Sequence, residues 1–145
     1  MNLELNNMEV SDLNAIANNL EIEFDNFWNY NILKQELENT NSIYIVAKIE
    51  GEIVGFGGIW KSIDDVHITN IVVKKSKRHL GIGTKILERL IEITKELNFS
   101  SITLEVNEHN INAIKLYEKL NFKNLGIRKK YYNNSDDAII MTLYI

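Results

Sequence analysis

The chain has 145 residues, 45% of them apolar and 25% charged, and a net charge of −4, the profile of one globular domain large enough to bury a core. The negative balance argues against a nucleic-acid partner, which asks for a basic face. No cysteine occurs, so disulfides, thiolate metal sites and a covalent cysteine intermediate are excluded.

Met1-Asn2-Leu3-Glu4 lacks the basic-then-apolar order of a signal peptide, and no window approaches 18 consecutive apolar residues. The expectation is a cytoplasmic protein that does not enter a membrane. Leu3 to Met8 reads as a first strand. Ser11-Asp12 is placed to cap a helix on which Leu13, Ile16, Ala17, Leu20 and Phe24 recur at helical spacing. A second short helix carries Ile32, Leu33 and Leu37. Ile43 to Ile49 and Ile53 to Trp60 form a hairpin around Glu50-Gly51. His67 to Val73 is the next strand. Thr84 to Leu97 follows as an amphipathic helix, with Ile86, Leu87, Leu90, Ile91, Thr94 and Leu97 on one side. In Ile102 to Val106, apolar residues alternate with Thr103, Glu105 and Asn107, a strand pattern. Asn110 or Asn112 caps a helix that turns Ile114, Tyr117 and Leu120 inward, and Asn121-Phe122 ends it. Asn124 to Lys130 and Ala138 to Tyr144 close the chain as strands. Antiparallel strands come first and strand–helix alternation follows. That order implies a single α/β domain over residues 1–145, with helices on both faces of a mixed sheet.

One stretch carries more chemistry than the rest: Arg78-His79-Leu80-Gly81-Ile82-Gly83-Thr84. A strand, a basic glycine turn and a helix start make an anion cradle. Glycine lets the backbone approach a ligand, and the first N–H groups of the helix face outward at the positive end of its dipole. A dinucleotide fingerprint fails because Ile86 stands where the third glycine is needed, and no P-loop run exists. Without its flanks the turn also reads as a tight corner closed by glycines.

The flanks resemble the GNAT superfamily of acetyl-CoA-dependent N-acetyltransferases. The resemblance runs through Ile71-Val72-Val73, Arg78-x-x-Gly81-x-Gly83, Leu104-Glu105-Val106, Asn110 and Ala113-Ile114-x-Leu116-Tyr117-Glu118-Lys119-Leu120-Asn121-Phe122. Asn121 replaces the usual glycine of the last segment, and asparagine tolerates a left-handed backbone. Lys74-Lys75 stands where relatives often carry an acidic residue and proline. Within the family the chain is most similar to the RimI-type ribosomal-protein-alanine N-acetyltransferases, through Leu104-Glu105-Val106 and Arg128-x-x-Tyr131-Tyr132 followed by Asp137-Ala138-Ile139-Ile140-Met141.

The resemblance implies a GNAT fold, a mostly antiparallel seven-stranded sheet. It implies acetyl-CoA as co-substrate, with backbone groups of Ile71, Val72 and Val73 along the pantetheine arm. Arg78, His79, Leu80, Gly81, Ile82, Gly83 and Thr84 would surround the pyrophosphate, and Asn110 would bond the cofactor near the pantetheine. A β-bulge near Val73 would aim an N–H at the thioester oxygen. Transfer to an amine needs a base for the nucleophile and an acid for the leaving thiolate. Glu105, acting through a water, is the base candidate and Tyr117 the acid. Without the resemblance, Glu105 reads as the polar side of a half-buried strand and Tyr117 as a core tyrosine.

An α-amine has a pKa near ~8 and a lysine ~10.4, so deprotonating lysine costs about 3 kcal/mol more at neutral pH. One carboxylate and a relay water therefore suit a protein N-terminus, and the resemblance points to the N-terminal alanine of a small-subunit ribosomal protein. A GNAT acting on lysine or a small amine, and a non-catalytic coenzyme A-binding module, are the rivals. Phe27-Trp28 and Tyr131-Tyr132 are candidate walls of a peptide slot. Asp64-Asp65 and Asp136-Asp137 read as solvated loops, with attraction of a basic peptide as the alternative. Lys74-Lys75-Lys77-Arg78 reads as solvated or as a partner for the cofactor's 3′-phosphate. His67, His79 and His109 show no ligand spacing, so no metal is expected.

Overall fold

Hydrophobic alternation sets the sheet. In the computed structural model, which describes residues 2–24, 29–131 and 136–145, the strands are β1 (Leu3–Asn7), β2 (Ser42–Ile49), β3 (Glu52–Lys61), β4 (Val66–Val73), β5 (Ser101–Asn107), β6 (Lys123–Arg128) and β7 (Ala138–Tyr144). Helices α1 (Val10–Ile16), α2 (Tyr30–Glu38), α3 (Ile82–Glu96) and α4 (Ile111–Lys119) connect them. Among the described residues one sheet runs β1-β2-β3-β4-β5-β7-β6. Neighbours are antiparallel except β4 and β5.

That parallel pair decides the architecture. Its register covers Val66↔Ile102 and His67↔Thr103 and goes no further. Both strands continue, β4 to Val73 and β5 to Asn107. Beyond His67 and Thr103 they part, and the middle of the sheet opens.

Each face has its own core. Helix α3 lays Ile82, Ile86, Leu87, Leu90 and Ile93 on Ile45, Ala47, Val54, Ile59, Val66, Ile102, Leu104 and Val106, and α4 adds Ala113, Ile114, Leu116, Tyr117 and Leu120 at the margin. Close approach needs small residues below: a Cβ on Gly57 would lie 2.7 Å from Ile86. On the opposite face Leu13, Ile16, Leu20, Phe24 and Leu33 cover Tyr44, Val46, Phe56 and Val72. That second core covers β2 to β4 and leaves Thr103, Glu105 and Asn107 of β5 half-buried.

Local chemistry moves several boundaries from their expected places. Glu9, not Ser11-Asp12, is the N-cap of α1. Asp12 works from the third helical position, taking a 2.9 Å hydrogen bond from the Glu9 N–H. The helix ends at Ile16 and tightens into a 3-10 turn, Ala17–Asn19. Asn18 and Asn19 are poor helix formers, and Leu20 and Phe24 reach the core from beyond the helix. Helix α3 begins at Ile82 rather than Thr84, because Gly81 at φ 83° supplies the turn into it.

Both α3 and α4 end on asparagine. Asn98 and Asn121 hold φ of 65° and 74°. Phe122 N–H bonds the Tyr117 carbonyl at 3.0 Å, and Asn121 N–H bonds Glu118 at 3.0 Å. This is a Schellman closure with asparagine in the left-handed position, as anticipated for Asn121.

Candidate active site

The open edge of β4 is the first component. Lys74 N–H donates to the Val54 carbonyl at 2.8 Å, which fixes the alternation along an antiparallel pair. With Val72 opposite Phe56 and Val73 opposite Gly55, the backbone groups of Val72 point into the β3 ladder. Those of Ile71 and Val73 point at the gap. Only two of the three residues expected to present backbone groups therefore do so. The Val72 side chain is 9% exposed and belongs to the second core. The Val73 carbonyl accepts a 3.1 Å hydrogen bond from Arg78 Nε.

The bulge lies earlier than expected. Gly58 pairs with Asn70 and Ile59 with Ile68, so Thr69, not a residue near Val73, is the extra one. It is pinned from the far face. The Tyr44 ring occupies the space where a Gly58 Cβ would be, and its hydroxyl lies 3.0 Å from Thr69 Oγ1. Burial pushes the Tyr44 phenol well above its usual range, so it stays neutral and keeps that bond. The bulge also places Asn70, whose Nδ2 is buried with no hydrogen-bond partner among the described residues. An unmet donor of this kind costs about 1–3 kcal/mol.

The loop from Arg78 to Gly81 is the second component. His79 and Gly81 both hold positive φ, 65° and 83°. A histidine in that region carries roughly 1–2 kcal/mol of strain, which is typical of backbone held for a ligand. The first helical bond of α3 runs from Lys85 N–H to the Gly81 carbonyl, 3.1 Å. The amides of Ile82, Gly83 and Thr84 precede it and face outward. A Cβ on Gly83 would meet Val73 Cγ2 at 3.6 Å and Leu116 Cδ2 at 3.7 Å, ordinary contact. Protein packing thus does not forbid a side chain there. The space Gly83 leaves clear belongs to the cleft.

That cleft, of about 660 Å³, is lined by Ile71, Val73, Arg78, His79, Gly81, Gly83, Thr84, Asn110 and Tyr117 among others. Leu80 is not in the lining and is 53% exposed. Of the lysines near the loop, Lys77 joins Arg78 in the lining. Lys74 is engaged by Glu52 at 2.6 Å and Glu23 at 3.7 Å. That hydrogen bond with Glu52 raises its pKa.

Helix α4 is the third component. Asn110, not Asn112, caps it, with Oδ1 accepting from Ala113 N–H at 3.2 Å. Tyr117, about two turns on, packs its ring 5.7 Å from Phe122 and lines the cleft.

Glu105 approaches from the other face. On β5, Ile102, Leu104 and Val106 point toward α3 and α4, so Glu105 points away from them. Acid and base candidates therefore lie on opposite sides of the sheet; Tyr117 lines the cleft and Glu105 does not. Arg128, at the end of β6, reaches across β7 and places Nη2 3.2 Å from Glu105 Oε1. Its guanidinium also lies 5.0 Å above the Tyr131 ring. The charge of Glu105, then burial and a hydrogen bond to Glu105, raise the Tyr131 phenol above its ordinary range, with Arg128 opposing. Oε2 of Glu105 is buried and has no hydrogen-bond partner among the described residues.

Phe27, Trp28 and Tyr132, expected to wall a peptide slot, lie outside the described residues. Tyr131 is described and sits beside Glu105. Neither the role of Asn70 nor the reach of Arg128 to Glu105 is legible in the sequence. The register Glu105↔Ile140 with Gly126↔Ile140 carries that reach, and no local spacing encodes it. No metal-binding group of acidic and histidine residues occurs among the described residues, and no described helix is long and apolar enough to cross a membrane.

The geometry has clear relatives. A family model described as Acetyltransferase (GNAT) family matches residues 9–122. A Bacillus subtilis protein assigned as a ribosomal protein bS18-alanine N-acetyltransferase is 35% identical over 144 residues, which span 96% of this chain and 93% of that one. An N-alpha-acetyltransferase of Sulfurisphaera tokodaii is 27% identical over 150 residues, spanning 94% and 90%. The crystal structure of the ribosomal-protein-S18-alanine N-acetyltransferase from Escherichia coli superposes with a TM-score of 0.89 at 28% identity, covering 99% of this chain and 94% of that one.

Proposed function

The chain belongs to the GNAT acetyltransferase family, and from that premise we propose that it moves acetyl from acetyl-CoA directly to a protein N-terminal α-amine. The N-terminal alanine of a small-subunit ribosomal protein is the proposed acceptor. One observation carries the reading. Tyr117 lines the cleft on the α4 side, and Glu105 projects to the opposite face from β5, which parts from β4 beyond Thr103.

The residues present fit the co-substrate. Outward amides from Ile82 to Thr84, with Lys77 and Arg78 at the mouth, suit a diphosphate. The backbone groups of Ile71 and the Val73 N–H at that edge suit the amide-bearing pantetheine as an added strand. The buried Nδ2 of Asn70 suits a carbonyl oxygen. Acetyl-CoA brings the activated acetyl group and a thiolate that can leave.

The protein supplies the proton transfers. Glu105 takes the amine proton through a water. Tyr117 donates to sulfur from the α4 side. With no cysteine in the chain, transfer runs directly from thioester to nitrogen. The names of the relatives support an α-amine over a lysine. So does the cost of deprotonating lysine, about 3 kcal/mol more at neutral pH.

The test is mass spectrometry of a short peptide beginning with alanine, incubated with acetyl-CoA and enzyme. An N-terminally blocked peptide containing lysine runs beside it. Acetylation of the first and not the second is the expected result. The reverse would overturn the acceptor assignment.

A further inference from the structure

The Glu105 carboxylate is unequally treated. Oε1 faces Arg128 Nη2 at 3.2 Å, while Oε2 is buried without a partner among the described residues. We propose that Arg128, stacked on Tyr131, is a positioning residue: it holds Oε1 and so presents Oε2 to the incoming amine or its relay water. This rests on the reading of Glu105 as the base.

Three features make the contact more than a surface ion pair. Such pairs between exposed groups contribute about 0–1 kcal/mol, so fold stability does not account for a reach across a whole strand. The guanidinium is held twice, by the carboxylate and by the Tyr131 ring at 5.0 Å, and a planar cation suits both contacts. The second oxygen is then left in a site where a polar atom without a partner is costly. A donor brought by the acceptor satisfies it. Glu105 has two torsions between Cβ and its carboxylate, and an anchored Oε1 removes the swing that would carry Oε2 off line. Misplacement by about 1 Å costs on the order of 10²-fold in rate.

Arg128 does not line the cofactor cleft, so its loss should spare acetyl-CoA binding. The experiment is a double-mutant cycle on kcat for the alanine peptide, using R128A, E105Q and R128A/E105Q. The KM for acetyl-CoA and the thermal midpoint are followed in parallel. We expect R128A to lower kcat about 10- to 100-fold, with the KM for acetyl-CoA and the melting midpoint near native. R128K should fall between R128A and native enzyme, and methylguanidinium should restore part of the R128A rate. In the E105Q background R128A should cost nothing further, because it acts through that carboxylate. A slow E105Q beside an unchanged R128A removes the positioning role alone. So do equal losses from R128A in both backgrounds. An unchanged E105Q removes the base reading and this inference with it.

Discussion

The two sides of the open gap are built by different means. On the side of β4, α3 and α4, main-chain groups do most of the work: the edge of Ile71 and Val73, and the amides from Ile82 to Thr84. On the side of β5, β6 and β7, three side chains from separate strands and loops converge: Glu105, Arg128 and Tyr131. The first side can bind the same coenzyme in many sequences, because backbone amides do not depend on residue type. The second holds the side chains proposed for chemistry, and every member of it is a single substitution from loss.

The largest effect should come from the side-chain half. Glu105→Gln keeps the shape and removes the proposed base. We expect kcat/KM for the peptide to fall about 10²–10⁴-fold, with coenzyme A affinity unchanged by calorimetry. A loss of coenzyme binding instead would break the division between the two sides. Tyr117→Phe is the sharper variant. Its ring keeps the packing on Phe122 at 5.7 Å, so only the hydroxyl is lost. A fall in kcat on the order of 10²-fold is expected, read by steady-state kinetics with a melting curve as control.

The main-chain half should respond in the opposite sense. Gly83→Val adds a side chain where a Cβ would already touch Val73 and Leu116 at 3.6 and 3.7 Å. All three positions line the cleft, so the added bulk is expected to narrow it. Coenzyme A affinity should weaken about tenfold, or ~1.4 kcal/mol, with the peptide KM little changed. Calorimetry with coenzyme A and peptide titrations at saturating acetyl-CoA separate the two.

The same division explains what was legible in the sequence. The cradle could be read because its parts are contiguous, Arg78 to Thr84, and because the flanking periodicities gave a strand and a helix. Tyr117 and Glu105 were legible as candidates through motifs of neighbouring residues. Which backbone groups face the gap was not legible. That alternation depends on the register of Val72 opposite Phe56 and on the bulge at Thr69, which Tyr44 and Gly58 set from two other strands. The Arg128 contact was hidden for the same reason. It exists because β7 lies between β5 and β6, a long-range fact about strand order. Helix ends fell between these cases. Asn121 was recognisable, while the start of α1 moved because Glu9 and Asp12 cap each other across three residues.

Asn110 lies where the two sides meet, and it gives the smallest and most diagnostic effect. Its Oδ1 is committed to the α4 cap, accepting from Ala113 N–H at 3.2 Å. Nδ2 is left to donate to the cofactor. Asn110→Ala removes both functions. It should cost about 1 kcal/mol of stability, a drop of roughly 2–4 °C in melting midpoint, together with coenzyme affinity. Asn110→Asp separates them, because a carboxylate caps as well as the amide does but donates nothing. Its melting midpoint should stay near native while coenzyme A binding weakens severalfold, within about 1 kcal/mol. If Asn110→Asp binds coenzyme A as tightly as native protein, Asn110 serves α4 alone. The cofactor would then reach the protein through β4, the glycine loop and α3 without it.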